Sequence, residues 1–179
     1  MNRAGFQAWC EAYEQAGLRA TSRVPTQLAS VIGANARILS SDVPRAIESA
    51  RLLAHSSPIT SSSLLRELRL GASSPTRLRL PLLAWALVVG HATWTRRRRG
   101  EFPTAAEDER IGHAVEWLER EIVVHPCVVV VTHASFRREL HAALRLRDWR
   151  SSSSWRSTRP WSAWILTRHA RHPEVFASA

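Results

Sequence analysis

The chain has 179 residues, 45% of them hydrophobic, enough for one compact domain with its own core and too few for two of ordinary size. Its longest apolar runs, Pro81 to Val89 and Ile122 to Val131, are interrupted or far short of a membrane span, and no signal-peptide apolar region opens it, so we expect a cytoplasmic protein with no membrane partner. The net charge of +10 invites a nucleic-acid reading, yet all 25 basic residues are arginine and lie scattered along the chain, a pattern that codon bias gives without any polyanion partner.

Residues 4–16 place Phe6, Trp9, Cys10 and Tyr13 at helical spacing, with Gly17 as the stop. Thr26 to Ile32 reads as another helical turn or two, and "ARILS" at 36–40 as a short buried strand. "SDVPRAIESARLLAH" follows as a helix, with Ser41 or Asp42 as N-cap, Pro44 in the first turn, and Val43, Ile47, Ala50 and Ala54 on one face. Residues 56–103 mix serine- and proline-bearing loops with "LPLLAWALVVGHATW", which fits a buried helix; we expect an irregular insertion there, with "TRRRRG" at 95–100 as a solvated loop. At 104–123, Thr104 and Glu107 form a capping box and Ile111, Val115, Leu118 and Ile122 an apolar stripe. "CVVVVTH" reads as a strand buried on both faces, "SFRRELHAALRL" as a helix with Phe136, Leu140 and Leu144 on one side, and "WSAWILTR" at 161–168 as a last strand. Cys10 and Cys127 have neither metal-ligand spacing nor the pattern of a disulfide framework.

Strands alternating with helices predict an α/β fold: three layers, with a mostly parallel sheet flanked by helices, in a single domain over 1–179. Ligands of such sheets bind beyond the carboxyl ends of the strands, where two turns converge here: Ser40-Ser41-Asp42 with Arg45, and Thr132-His133-Ala134-Ser135.

Arg45, Arg137 and Arg138 fall in first helical turns, where the macrodipole disfavours a cation by about 0.3–1 kcal/mol each. A bound anion would offset that. For Arg137 and Arg138 we expect instead solvent, or pairing with Glu48 or Glu139.

"SSDVPRAIESARLL" resembles the "SSDLxRAxxTAxxL" segment of the histidine phosphatase (phosphoglycerate mutase-like) superfamily, and "VVVVTHASFRREL" resembles its "VLVVSHGGxIRxLL". "LLREL" matches the family's "LxE" acid, and "GEFPTAAEDERIGHAVEWL" its "GES" segment with the following helix, all in the right order from residue 4 onward. The resemblance implies a phosphoryl-transfer site in which a histidine of an N-terminal "RHG" attacks phosphorus. It implies Arg45 as a phosphate clamp, Glu67 as general acid and His133 as the second pocket histidine, binding phosphoryl oxygens. It implies no metal and no cofactor, and a phosphorylated small molecule or phosphopeptide as partner; a phosphatase fits the short chain better than a mutase.

The chain departs from the family in having no "RHG" and in placing only "MNR" before its first helix, so the first central strand is missing from this reading. Unpaired backbone groups in a sheet centre cost about 1–3 kcal/mol each against a total stability of about 5–15 kcal/mol. Either "AWILTR" pairs with "VVVVT", or a partner supplies the strand, or the natural chain starts further upstream; we expect the last. Of the other seven histidines, His55, His91, His125, His141, His169 and His172 read as structural or solvated, and Ala134-Ser135 replaces the family's two glycines. Phosphomonoester hydrolysis, inactive without the "RHG" nucleophile, is the leading expectation; a pseudophosphatase that keeps the anion pocket for recognition is the alternative. The eight tryptophans, Trp94, Trp149 and Trp155 among them in loops, leave room for a homodimer contact.

Overall fold

The computed structural model describes residues 1–32, 35–54, 57–69, 79–151 and 160–168. Helix α1 (Arg3–Gln15) starts at Asn2, whose side chain accepts the Gly5 N–H, and short α2 (Thr26–Val31) leads to strand β1 (Arg37–Ser41) and helix α3 (Pro44–Ala54). Strand β2 (Ile59–Ser62) runs into a 3-10 turn (Ser63–Leu65), followed by helices α4 (Leu82–Arg98) and α5 (Ala105–Val124). Strand β3 (Val128–Val131), helix α6 (Ala134–Arg145) and strands β4 (Trp149–Ser151) and β5 (Leu166–Arg168) complete the order.

The main sheet is parallel, ordered β2-β1-β3, with Ile38 level with Ile59 on one side and with Val129 on the other. Helices pack on both faces, as the α/β reading expects. Leu39 sits among Ile111, Val115, Leu118, Phe136, Leu140 and Leu144 under α5 and α6, whereas Ile38 packs with Ala50, Leu53 and Ala54 of α3. Fully burying side chains such as Ile38, Leu39 and Phe136 contributes about 1.5–3 kcal/mol each.

Helix α5 carries the expected capping box, with both reciprocal bonds formed, and three of its four stripe residues are buried. The face of α3 is turned slightly from the expected one, burying Ala46 and Leu53 and leaving Ile47 half-buried. Residues 56–103 hold regular elements between irregular stretches where described: "ITSS" is β2 because parallel pairing with β1 satisfies its backbone, although its one apolar residue gave no periodicity. The α4 segment is helical but only half-buried, and "TRRR" forms its last turn in place of a loop. His91 and Trp94 therefore lie on a helix, and Trp149 is buried in β4; His55, Trp155, His169 and His172 fall outside the described residues.

The four valines of β3 meet a core on each side, Val128 and Val130 on one face and Val129 and Val131 on the other. All four are nonetheless half-buried, because among the described residues β3 is an edge strand, paired with β1 alone. The pairing of "AWILTR" with "VVVVT" is not formed. Strand β5 joins β4 in an antiparallel pair, held where Glu119 receives both Arg147 and Arg168.

Candidate functional site

The carboxyl ends of β1 and β3 point the same way, so the residues that follow them share one rim of the sheet. Ser41, the last residue of β1, is fully buried, and His133, two residues beyond β3, is 8% exposed. His133 Nε2 lies 3.0 Å from Ser41 Oγ, and His133 Nδ1 lies 3.3 Å from Nη2 of Arg45, which projects from the first turn of α3. Arg45 and His133 are thus brought together across 88 residues of chain.

Chemistry fixes the direction of these bonds. A guanidinium has only donors, so Nδ1 of His133 accepts. Burial pushes the His133 imidazole below its ordinary value, and the Arg45 charge acts in the same direction against the pull of Glu67. The ring is then neutral, its proton sits on Nε2, and Ser41 Oγ accepts it. Ser41 and His133 are consequently not a nucleophile with its base, since the nitrogen facing the hydroxyl already carries hydrogen.

Arg45 finds a partner that the sequence did not disclose. Its Nη1 donates to the Tyr13 carbonyl at 2.8 Å and the Glu14 carbonyl at 3.4 Å, and the guanidinium lies 4.3 Å from the Tyr13 ring centroid. Those carbonyls belong to the last turn of α1, the negative end of its dipole, which offsets the unfavourable start of α3. Behind Tyr13 stand Trp9 at 5.3 Å and then Phe6 at 6.2 Å, stacked along α1. Arg137 pairs with neither expected glutamate: it donates to the carbonyl and hydroxyl of Ser162 and lies 4.3 Å from the Trp164 ring. Glu48 instead accepts from the Leu18 N–H at 2.6 Å, and Glu139 is taken by Arg97.

Glu67 is half-buried and tied to helix α6. Its Oε1 accepts from the backbone N–H of Ser135 at 3.0 Å, that of Phe136 at 3.3 Å, and the Ser135 hydroxyl. The carboxyl therefore caps the N-terminus of α6, and the N–H groups expected to face an anion at that end are already donating to it. Oε2 accepts nothing among the described residues. The loop that carries Glu67 is fixed by α5: Arg110 donates to the carbonyls of Leu64 at 2.9 Å, Arg66 at 2.8 Å and Glu67 at 3.4 Å, and Glu107 accepts the Arg69 N–H at 3.0 Å. Arg66 in turn makes a two-pronged pair with Asp42, and that hydrogen bond holds the Asp42 carboxyl below its usual range. Thr132 Oγ1 donates to the Leu65 carbonyl at 2.7 Å, tying the end of β3 to the same loop.

Ser135, Arg110 and the α1 carbonyls are site groups to which the sequence assigns no role, and Ser41 and Asp42, expected as N-cap, serve His133 and Arg66 instead, since α3 starts at Pro44. The only signals were Ser41 within "SSD" and Arg110 one helical turn after Glu107. Among the described residues no group of three His, Cys, Asp or Glu could hold a metal ion, and no helix is long and apolar enough to cross a membrane.

Residues 14–175 match the histidine phosphatase superfamily (branch 1), and the chain belongs to that superfamily. No curated protein and no solved structure matches it.

Proposed function

We propose that the rim site takes the phosphoryl group of a phosphorylated small molecule or phosphopeptide, as a phosphomonoester hydrolase of this superfamily would. The observation that carries this reading is the Arg45–His133 contact of 3.3 Å at the carboxyl ends of two parallel strands. Arg45 Nη2 spends its bond on a neutral imidazole, which an anion would replace with a charge-assisted one. A phosphoryl dianion seated there favours the protonated ring, so that both nitrogens donate and His133 becomes a second grip on the oxygens. Glu67 is proposed as the acid for the leaving alcohol: Oε1 is anchored by three donors, which leaves Oε2 to carry and deliver the proton.

Arg45 stays protonated and has no free lone pair, His133 faces Ser41 with an N–H, and Glu67 is committed to α6, so none of them is offered as the nucleophile. The chain contains no "RHG", and among the described residues no strand lies on the open side of β3. These two facts favour a second reading, a pseudophosphatase module that binds the anion without turning it over. Hydrolysis of p-nitrophenyl phosphate, measured beside binding of orthovanadate, tests both. Vanadate binding that Arg45→Ala weakens at least about tenfold supports the site. Turnover abolished by His133→Ala then marks an enzyme, whereas binding without turnover marks the module. Absence of both defeats the phosphoryl-site reading.

A further inference from the structure

Helix α4 is apolar on two opposite sides. On the inner side Trp85 and Val89 are buried against Phe6 of α1, with the Trp85 and Phe6 rings stacked at 4.9 Å and the indole N–H donating to the Met1 carbonyl at 3.1 Å. On the outer side stand Leu83, Leu87 and Trp94, 76%, 70% and 50% exposed, at spacings of four and eleven that return to one face of a helix. Ala86, Gly90 and His91 fill the rest of that face, and residues 79–100 contain no carboxylate. A helix that is apolar all round is normally covered, and this one is covered on one side only.

The basic end of α4 continues the outer stripe. The Arg98 guanidinium lies 4.1 Å from the Trp94 ring, and Arg98 and Arg99 have no acidic partner among the described residues; Arg97 reaches Glu139. Arginine suits a helix C-terminus, yet the run Arg96 to Arg99 exceeds what one last turn requires.

Charge selects the occupant. A second copy brings another net +10 and another carboxylate-free α4 against the same arginines, so face-to-face pairing sets like charges together. An anionic lipid surface accepts both parts: the headgroup–acyl boundary takes the leucines and tryptophan, and the phosphates and carboxylates take the guanidinia. We propose that the outer face of α4 docks the protein on an anionic membrane surface, with the helix lying in the interfacial plane and its inner face still packed on α1. This is surface attachment and not a span: it departs from the expectation of no membrane partner, which rested on the lack of a spanning segment, and agrees with the absence of a membrane-crossing helix among the described residues. It is independent of the phosphoryl site, because none of Arg45, His133 and Glu67 lies on α4.

Sedimentation of the whole chain with phosphatidylcholine vesicles, with and without about one-third phosphatidylserine, tests the proposal. Partitioning onto the anionic vesicles should be at least about tenfold stronger and should fall with added salt. The pair Leu83→Glu with Leu87→Glu, and separately Arg98→Gln with Arg99→Gln, should each lower it about tenfold; both pairs are exposed, and circular dichroism establishes that the variants are folded. No association with either vesicle overturns the proposal. So does association that the leucine pair leaves unchanged, which assigns it to overall charge. Self-association abolished by Leu83→Glu, without vesicle affinity, overturns it in favour of a second copy.

Discussion

Replacing Glu67 with alanine removes one acceptor from three donors: the N–H groups of Ser135 and Phe136 and the Ser135 hydroxyl. A hydrogen bond to a charged group contributes about 1.5–3 kcal/mol, loss of a helix N-cap costs about 0.5–2 kcal/mol, and the anion's favourable place at the dipole adds about 0.3–1 kcal/mol. These overlap, and water reaches the half-buried site to solvate the freed amides. We therefore take about 2 kcal/mol for Glu67→Ala. Glu67→Gln keeps an acceptor oxygen and loses the charge, so it should cost about half as much, near 1 kcal/mol. Arg110 still holds the carbonyls of Leu64, Arg66 and Glu67 in both variants, which confines the effect to the cap. With a urea slope of about 2 kcal/mol per molar, the midpoints should fall by about 1 M and about 0.5 M at unchanged slope. An alanine variant within about 0.5 kcal/mol of the parent, or a glutamine variant as unstable as alanine, would refute the capping role.

Acid should weaken the fold through His133. Its folded value lies below the ordinary 6.5, so the unfolded chain binds more protons in that window and stability falls as pH drops from above 6.5 through the folded value. Melting against pH should show this loss in the parent, flattened in His133→Asn and offset by added phosphate; a profile unaltered by the substitution counts against a buried neutral ring. Asp42, Glu107, Glu119 and Glu121, all held below their usual carboxylate values, lose their contribution only at lower pH. Gly112, inside α5, has nothing within 4 Å of an added Cβ, so Gly112→Ala should stabilise by about 0.5–1 kcal/mol. Gly17→Ala should instead destabilise by about 1 kcal/mol, because its Cβ meets the Glu48 carboxylate at 2.7 and 2.8 Å and displaces it from the Leu18 N–H. Thermal melts that reverse these two signs would contradict the packing described.

What could be read from sequence was what local chemistry specifies. Thr104 and Glu107 announce the start of α5 by themselves, and Phe136, Leu140 and Leu144 fall on one face of α6 and are all buried. The convergence of Arg45 and His133 followed from strand order, since parallel strands deliver their carboxyl ends to one rim. Strand β2 was hidden because "ITSS" is a strand through pairing with β1 and not through its own periodicity. Helix α4 misled because "WALVV" reads as fully buried when half of it faces outward. The partners of Arg45 were out of reach for a different reason: backbone carbonyls at the end of α1 leave no residue-type signature. Glu67 was placed by resemblance, and only its contacts with Ser135 and Phe136 explain how a loop carboxyl is fixed against a helix 68 residues away.

Calorimetric titration of the folded chain with inorganic phosphate tests most directly whether the Arg45–His133 rim is a phosphoryl site. Binding should be saturable, tighten as pH falls through the His133 range and weaken at least about tenfold in Arg45→Ala. Absence of binding in the parent, or equal binding in the variant, would contradict that role of the rim.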